Sequence, residues 1–195
     1  EPARMHADGG TLEYPMSATA KGDDVLLSSW FTGTVQLIDR RTGKTREMLH
    51  DFKAPHDAVK LGDGSILVNE LGSKSLVRAS GEHGKDRKVV ISGLEGPVGM
   101  VAGPGDAVYL TEAFAGQVSK VEANGERTVV AKDLKGPEGI ALSPDGKLIV
   151  AEVGAKRIVS IDPKDGTITE IAANLPIGLP AAPGRRAQWR HRVPG

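Results

Sequence analysis

Three glutamates close short apolar runs at nearly regular intervals along this 195-residue chain: Glu70 in "ILVNE", Glu112 in "VYLTE" and Glu152 in "LIVAE". A fourth run, "VLLSS", ends at the same place on Ser29. Carboxylates gathered on one rim by a repeating fold would repel one another unless a cation or a bound proton intervened, so the chemistry to expect is that of a divalent metal site. Carboxylate oxygens together with an Asn carbonyl suit calcium or magnesium, and an imidazole in the set admits zinc. The expected ligands are Glu70, Glu112, Glu152 and His56, the last in "APHDAV", with calcium first and magnesium or zinc as alternatives. A metal so held would polarise a carbonyl or ester oxygen, or acidify a bound water. The same repetition allows a plainer role, in which each carboxylate accepts backbone N–H groups from a neighbouring loop.

A second recurring position holds Met16, His56, Val98 and Glu138, each directly after a proline. His56 and Glu138 depart from the apolar type of the other two, and such departures point to function more strongly than the repeat itself. They are the expected catalytic acid and base, with Asp57 and Asn69 beside the same rim. His6, His50, His83 and His191 fall in turns, at strand ends or near the carboxyl terminus. Ser28 and Ser29 adjoin no nucleophile-elbow motif, and "GDGS" and "GPGD" read as hairpin turns because no helix follows them.

What positions these residues is a repeat. Pro15, Pro55, Pro97 and Pro137 stand 40, 42 and 40 residues apart, and Val35, Leu76, Val118 and Ile158 stand 41, 42 and 40 apart. Each unit reads as a proline-led strand, a Gly- or Asp-containing turn, a short apolar strand, a third strand, another turn and a fourth strand. The second strands are continuously apolar, as in sheets buried on both faces. Closely spaced Gly, Pro and Asp-Gly breaks leave no room for helices of ordinary length. A period of about 40 residues with four strands is the β-propeller pattern, so the expected fold is all-β, with four-stranded antiparallel blades.

The blades are expected at 15–54, 55–96, 97–136 and 137–175, with 1–14 matching the end of a preceding blade and 176–195 a linker or basic tail. That tail carries Arg185, Arg186, Arg190 and Arg192 and no Asp or Glu, which reads as an unstructured terminus or as a contact for an acidic partner. Four blades are fewer than the roughly six or seven with which such rings commonly close, so a partial propeller or one completed by a homo-oligomer is expected.

Composition excludes little else. Lys plus Arg and Asp plus Glu balance at 25 each, giving no electrostatic case for a nucleic-acid or anionic-membrane partner. No apolar run approaches the ~18 residues that cross a bilayer. The chain has no cysteine, and its amino terminus lacks the charged-then-apolar order of a signal peptide.

The motifs "GPEGIALSPDGKLIVAE" and "GPVGMVAGPGDAVYLTE" resemble the gluconolactonase/regucalcin-like superfamily and its neighbours, the NHL-repeat proteins and virginiamycin B lyase. The resemblance runs from Pro15 to about Ile171. It implies a propeller with a small-molecule substrate or ligand at the channel mouth, a metal-dependent lactonase-like hydrolase or lyase, and a secreted or periplasmic setting. The lactonase site takes a Glu, an Asn and an Asp from separate blades, and Glu70 or Glu112 matches the first. The lyase site uses histidines and a glutamate, whereas His56 is the one histidine here at a rim-like position, a departure from that pattern. Other members are non-catalytic scaffolds, which implies as the alternative a rim that binds protein, peptide or glycan. Trp30, Phe31, Phe114 and Arg157, near the loops after the second strands, would be its anchors, with packing between blades as the other role for Trp30.

Overall fold

The computed structural model of the chain describes residues 15–177. The expected blade fragment at 1–14 and the tail from 178 onward lie outside the described residues. Within them are four antiparallel sheets of four strands, each arranged in chain order from the inner strand to the outer. Blade 1 comprises β1 (Ser17–Lys21), β2 (Asp24–Ser29), β3 (Thr34–Asp39) and β4 (Thr45–Leu49). Blade 2 comprises β5 (Pro55–Lys60), β6 (Ile66–Glu70), β7 (Ser75–Ser80) and β8 (Asp86–Ser92). Blade 3 comprises β9 (Pro97–Ala102), β10 (Val108–Glu112), β11 (Gln117–Val121) and β12 (Arg127–Ala131). Blade 4 comprises β13 (Pro137–Leu142), β14 (Leu148–Glu152), β15 (Arg157–Ile161) and β16 (Ile168–Ala172). Successive inner strands β1, β5, β9 and β13 lie against one another, so the blades form an arc around a shared concave side.

The continuously apolar second strands have the physical basis expected of them. Side chains along a strand alternate between faces, and each blade sits between neighbours. In β6, Ile66 and Val68 join Leu26, Val35 and Leu49 in a cluster between blades 1 and 2. Leu67, between them in sequence, packs with Leu76, Met100, Val108 and Leu110 between blades 2 and 3. A third cluster, with Tyr109, Val118, Leu148, Val150 and Ile161, joins blades 3 and 4. Burying an aliphatic side chain of this size is worth about 1.5–3 kcal/mol. The core is therefore divided among three seams rather than gathered in one centre, and aliphatic residues supply most of it.

The connections between blades repeat one local geometry. Asp51, Gly93, Asp133 and Asn174 all have positive φ, at 66°, 76°, 63° and 56°. The residue after each, Phe52, Leu94, Leu134 or Leu175, donates its backbone N–H to the carbonyl of Gly33, Lys74, Gly116 or Lys156 at 2.8–3.0 Å. That left-handed residue turns the chain from an outer strand back across the blade end, and in the three connections between blades the apolar residue that follows, Phe52, Leu94 or Leu134, plugs the seam.

Candidate functional site

The rim follows from an irregularity in the inner strands. In blade 2, Pro55 pairs with Glu70 and Asp57 with Asn69, so His56 is an extra residue in a β-bulge. The register shifts at the same place in blade 3, between Pro97 and Met100, and in blade 4, between Pro137 and Ile140. A bulge re-aims a side chain and frees a backbone group. The freed N–H of Asp57 donates to Asn69 Oδ1 at 2.5 Å, and that of Gly99 to Thr111 Oγ1 at 2.8 Å. The carbonyl of each bulged residue is held by the preceding blade: Ser28 Oγ donates to His56 O at 2.7 Å, Asn69 Nδ2 to Val98 O at 2.8 Å, and Thr111 Oγ1 to Glu138 O at 2.7 Å. His56 and Glu138 thus sit at equivalent, anchored positions on one rim, two blades apart with Val98 between them. His56 is partly buried and its Nδ1 is a buried polar atom without a hydrogen-bond partner; Glu138 is exposed.

The three repeated glutamates are buried, Glu112 and Glu152 completely, and each accepts the backbone N–H of a residue 17 positions earlier, in the connection that enters its own blade. Lys53 N donates to Glu70 Oε1 at 3.0 Å, Glu95 N to Glu112 Oε2 at 2.9 Å, and Lys135 N to Glu152 Oε1 at 2.7 Å. The remaining oxygens are also occupied. Glu70 Oε2 accepts from Ser73 Oγ. Glu112 Oε1 accepts from Gln117 Nε2 at 2.9 Å, from Ser119 Oγ at 2.7 Å and from Arg127 Nη2. Glu152 Oε2 accepts from Arg157 Nε at 2.5 Å. This set does not suit a cation. Each carboxylate belongs to a different blade and is already satisfied by hydrogen-bond donors, and among the described residues no three His, Asp or Glu side chains converge as metal ligands. His56 lies on the rim rather than among these enclosed carboxylates, so the four expected ligands are not brought to one point.

Asp57, beside the bulge, ties three inner strands together. It accepts from Ser17 Oγ of β1, from its neighbour Ala58 N at 2.8 Å and from Met100 N of β9 at 2.9 Å. Burial pushes its carboxyl above the ordinary range, and these donors oppose that shift only in part.

Apolar groups are exposed at the same end. Trp30 is 47% exposed and Phe114 76%, and Met16 and Phe31 are exposed as well. Trp30 therefore keeps about half its surface outside the blade packing. The Phe114 ring lies over Gly96, where a Cβ would approach its ring carbons to 2.8 Å. Arg157, expected as an interface anchor, is instead drawn to Glu152 and Glu170. Of the seam donors, Thr111 was not singled out in the sequence and Ser28 was weighed only as a nucleophile; the signal for their seam role was a polar residue one place before the repeated glutamate position.

No protein-family model matches the chain, and no curated protein matches it in sequence. Solved structures do. A virginiamycin B lyase from Staphylococcus aureus superposes with a TM-score of 0.67 at 20% identity, over 83% of this chain and 56% of that one. The nidogen/laminin complex gives 0.70 at 18% identity, over 78% and 62%. A protein described as a gluconolactonase gives 0.62 at 14%, over 77% and 59%. The chain thus spans little more than half the length of these relatives. At such identities the likeness establishes the architecture: a propeller of four-stranded blades, similar to lyase, gluconolactonase and nidogen propellers.

Proposed function

We propose that this propeller is a binding module whose rim, the end carrying His56 and the loops at 30–33 and 113–116, docks a polypeptide. The observation that carries the reading is the exposure of Trp30 and Phe114 on that rim, where sister blades place Leu71 or Val153 and Gly72 or Gly154. Large aromatic rings held on short loops are the side chains that dominate protein interfaces. The satisfied glutamates support it further, since they serve the blade connections. The nidogen relative, solved in complex with laminin, provides a precedent for the architecture in protein recognition. The test is selection of displayed peptides on the immobilised protein, followed by titration against Trp30→Ala and Phe114→Ala. Enriched peptides should lose about thirtyfold or more in affinity, a hot-spot loss, while melting stays near wild type. Absence of enrichment, or equal binding to both variants, overturns the reading.

One observation favours a second reading, small-molecule chemistry at the same mouth: the unpartnered Nδ1 of His56, for which a bound ligand would supply the missing partner. His56 would then act as acid or base, with Glu138 across the rim. Turnover of quinupristin, the compound bound in a lyase relative, and its loss in His56→Ala would support this; no turnover by the wild type counts against it.

A further inference from the structure

Taking the rim as a peptide-docking surface, the reading on which this inference rests, we propose that its partner is an acidic polypeptide. An apolar side chain of that partner sits on Phe114, and carboxylates on either side of it sit on Lys53 and Lys135.

One repeated piece of backbone presents these side chains. The residue that offers its N–H to the buried glutamate of each incoming blade is Lys53, Glu95 or Lys135. Its carbonyl in turn accepts the N–H of Gly72, Phe114 or Gly154, at 3.0–3.1 Å. The connection is thus fixed on both sides of that residue, beside the loop that follows the second strand. The two positions vary together: lysine stands opposite the glycines at 72 and 154, and Glu95 stands opposite Phe114. A Cβ on Gly72 would lie 3.4 Å from Lys53 Cβ, and one on Gly154 3.3 Å from Lys135 Cβ, so the bare glycine leaves room for the lysine stem. Along the arc the rim therefore runs cation, aromatic ring, cation.

This exposure does not come from the edge of the arc. Lys53 lies in the connection between blades 1 and 2, Phe114 on blade 3, which has a neighbour on each side, and Lys135 in the connection between blades 3 and 4. Phe114 is nonetheless 76% exposed, and both lysines are exposed. Among the described residues neither lysine has a carboxylate at ion-pair distance, whereas Glu95 is held by Lys74 at 3.3 Å. An ammonium group on an anchored stem, without a counter-charge of its own, pairs with a carboxylate that a partner brings, and such complementary charge speeds association and fixes register.

What lies between the lysines favours a polypeptide over a nucleic acid. Asp51, Glu95, Asp133 and Glu138 are exposed at the same end, and they would repel a phosphate backbone that is charged at every nucleotide. Separate carboxylate side chains can meet the lysines and avoid these acids. The chain balances 25 basic against 25 acidic residues, so no overall field draws in a polyanion.

Peptides selected from an unbiased displayed library on the immobilised chain should carry Asp or Glu on both sides of an apolar residue. A synthetic peptide of that sequence should bind Lys53→Glu and Lys135→Glu about tenfold or more weakly than wild type in calorimetric titration, with melting unchanged. Its binding should also weaken as salt is raised. Replacing one flanking acid of the peptide with Lys should restore binding to one of the two variants and not to the other. Enriched peptides without acidic residues, full affinity for both lysine variants, or a loss that no charge swap restores overturns the proposal and leaves the docking reading standing. Failure to enrich any peptide overturns both. A short oligothymidylate that binds wild type more tightly than the peptide does, and loses affinity in both variants, overturns it in favour of a nucleic-acid partner.

Discussion

Replacing Glu112 with Ala separates a carboxylate that holds the fold from one that waits for a metal. The side chain is fully enclosed and takes four donors: Glu95 N from the connection, Gln117, Ser119 and the guanidinium of Arg127. Hydrogen bonds to a charged group are each worth about 1.5–3 kcal/mol, but they are not additive around one carboxylate. The better scale is the loss of one partner from a buried ion pair, about 3–5 kcal/mol, since Arg127 is left largely buried without its counter-charge. For a chain of this length each kcal/mol moves the midpoint by about 2–4 °C, so Glu112→Ala should melt about 6–20 °C below wild type. Glu152→Ala, which frees Lys135 N and Arg157, should fall less because Arg157 keeps Glu170. Glu70→Ala, with Lys53 N and Ser73 but no bonded cation, should fall least. A double-mutant cycle with Arg127→Met should return a coupling of about 1–3 kcal/mol. Chemical denaturation and calorimetry measure all of these. Carboxylates gathered for a cation would behave oppositely in the metal-free protein, since removing one relieves repulsion. If Glu112→Ala melts within about 2 °C of wild type, the connection-clamp assignment is wrong.

Four further outcomes follow from the same geometry. Thr111→Val keeps the shape but removes the group that accepts Gly99 N–H and donates to Glu138 O, and should cost about 1–3 kcal/mol by denaturant titration. Gly99→Ala drives a Cβ into the Glu138 carbonyl and should cost about 1–3 kcal/mol, loosening blade 4 first in hydrogen exchange. Asp57 has a folded-state pKa above its unfolded value of 3.8, so its contribution is present when the carboxyl is protonated and declines as pH rises through the folded value. The stability difference between wild type and Asp57→Asn should therefore shift against wild type as pH rises above about 4, as thermal melts across a pH series would register. Calcium, magnesium, zinc and manganese, added singly after chelation, should leave the melting temperature unchanged; a saturable rise would restore the metal reading of the glutamates.

The blades were legible because a propeller repeats its chemistry. A proline at the start of each inner strand, an apolar second strand and a fixed period of about 40 residues mark the units in one sequence. The continuous run "ILV" in β6 announced burial on both faces, and the clusters on either side of it bear that out. The same rule read "LIV" in β14 as doubly covered, yet Ile149 is only partly buried. Strand pattern records what a face is suited to, not whether a neighbour is there. The site was less legible for a related reason. A carboxylate at the end of each second strand looks alike whether it awaits a cation or holds a backbone N–H, because the deciding donor lies 17 residues earlier in a connection whose path depends on a single left-handed residue. What the sequence did contain, unread, was covariation within the repeat itself. The position of Glu70, Glu112 and Glu152 holds serine in blade 1, and the position of Lys53, Glu95 and Lys135 holds proline after blade 4. Each change is minor alone. Together they mark the two places among the described blades where the clamp between a carboxylate and a connection N–H is not built, and nothing but the comparison of one repeat with the next could have shown it.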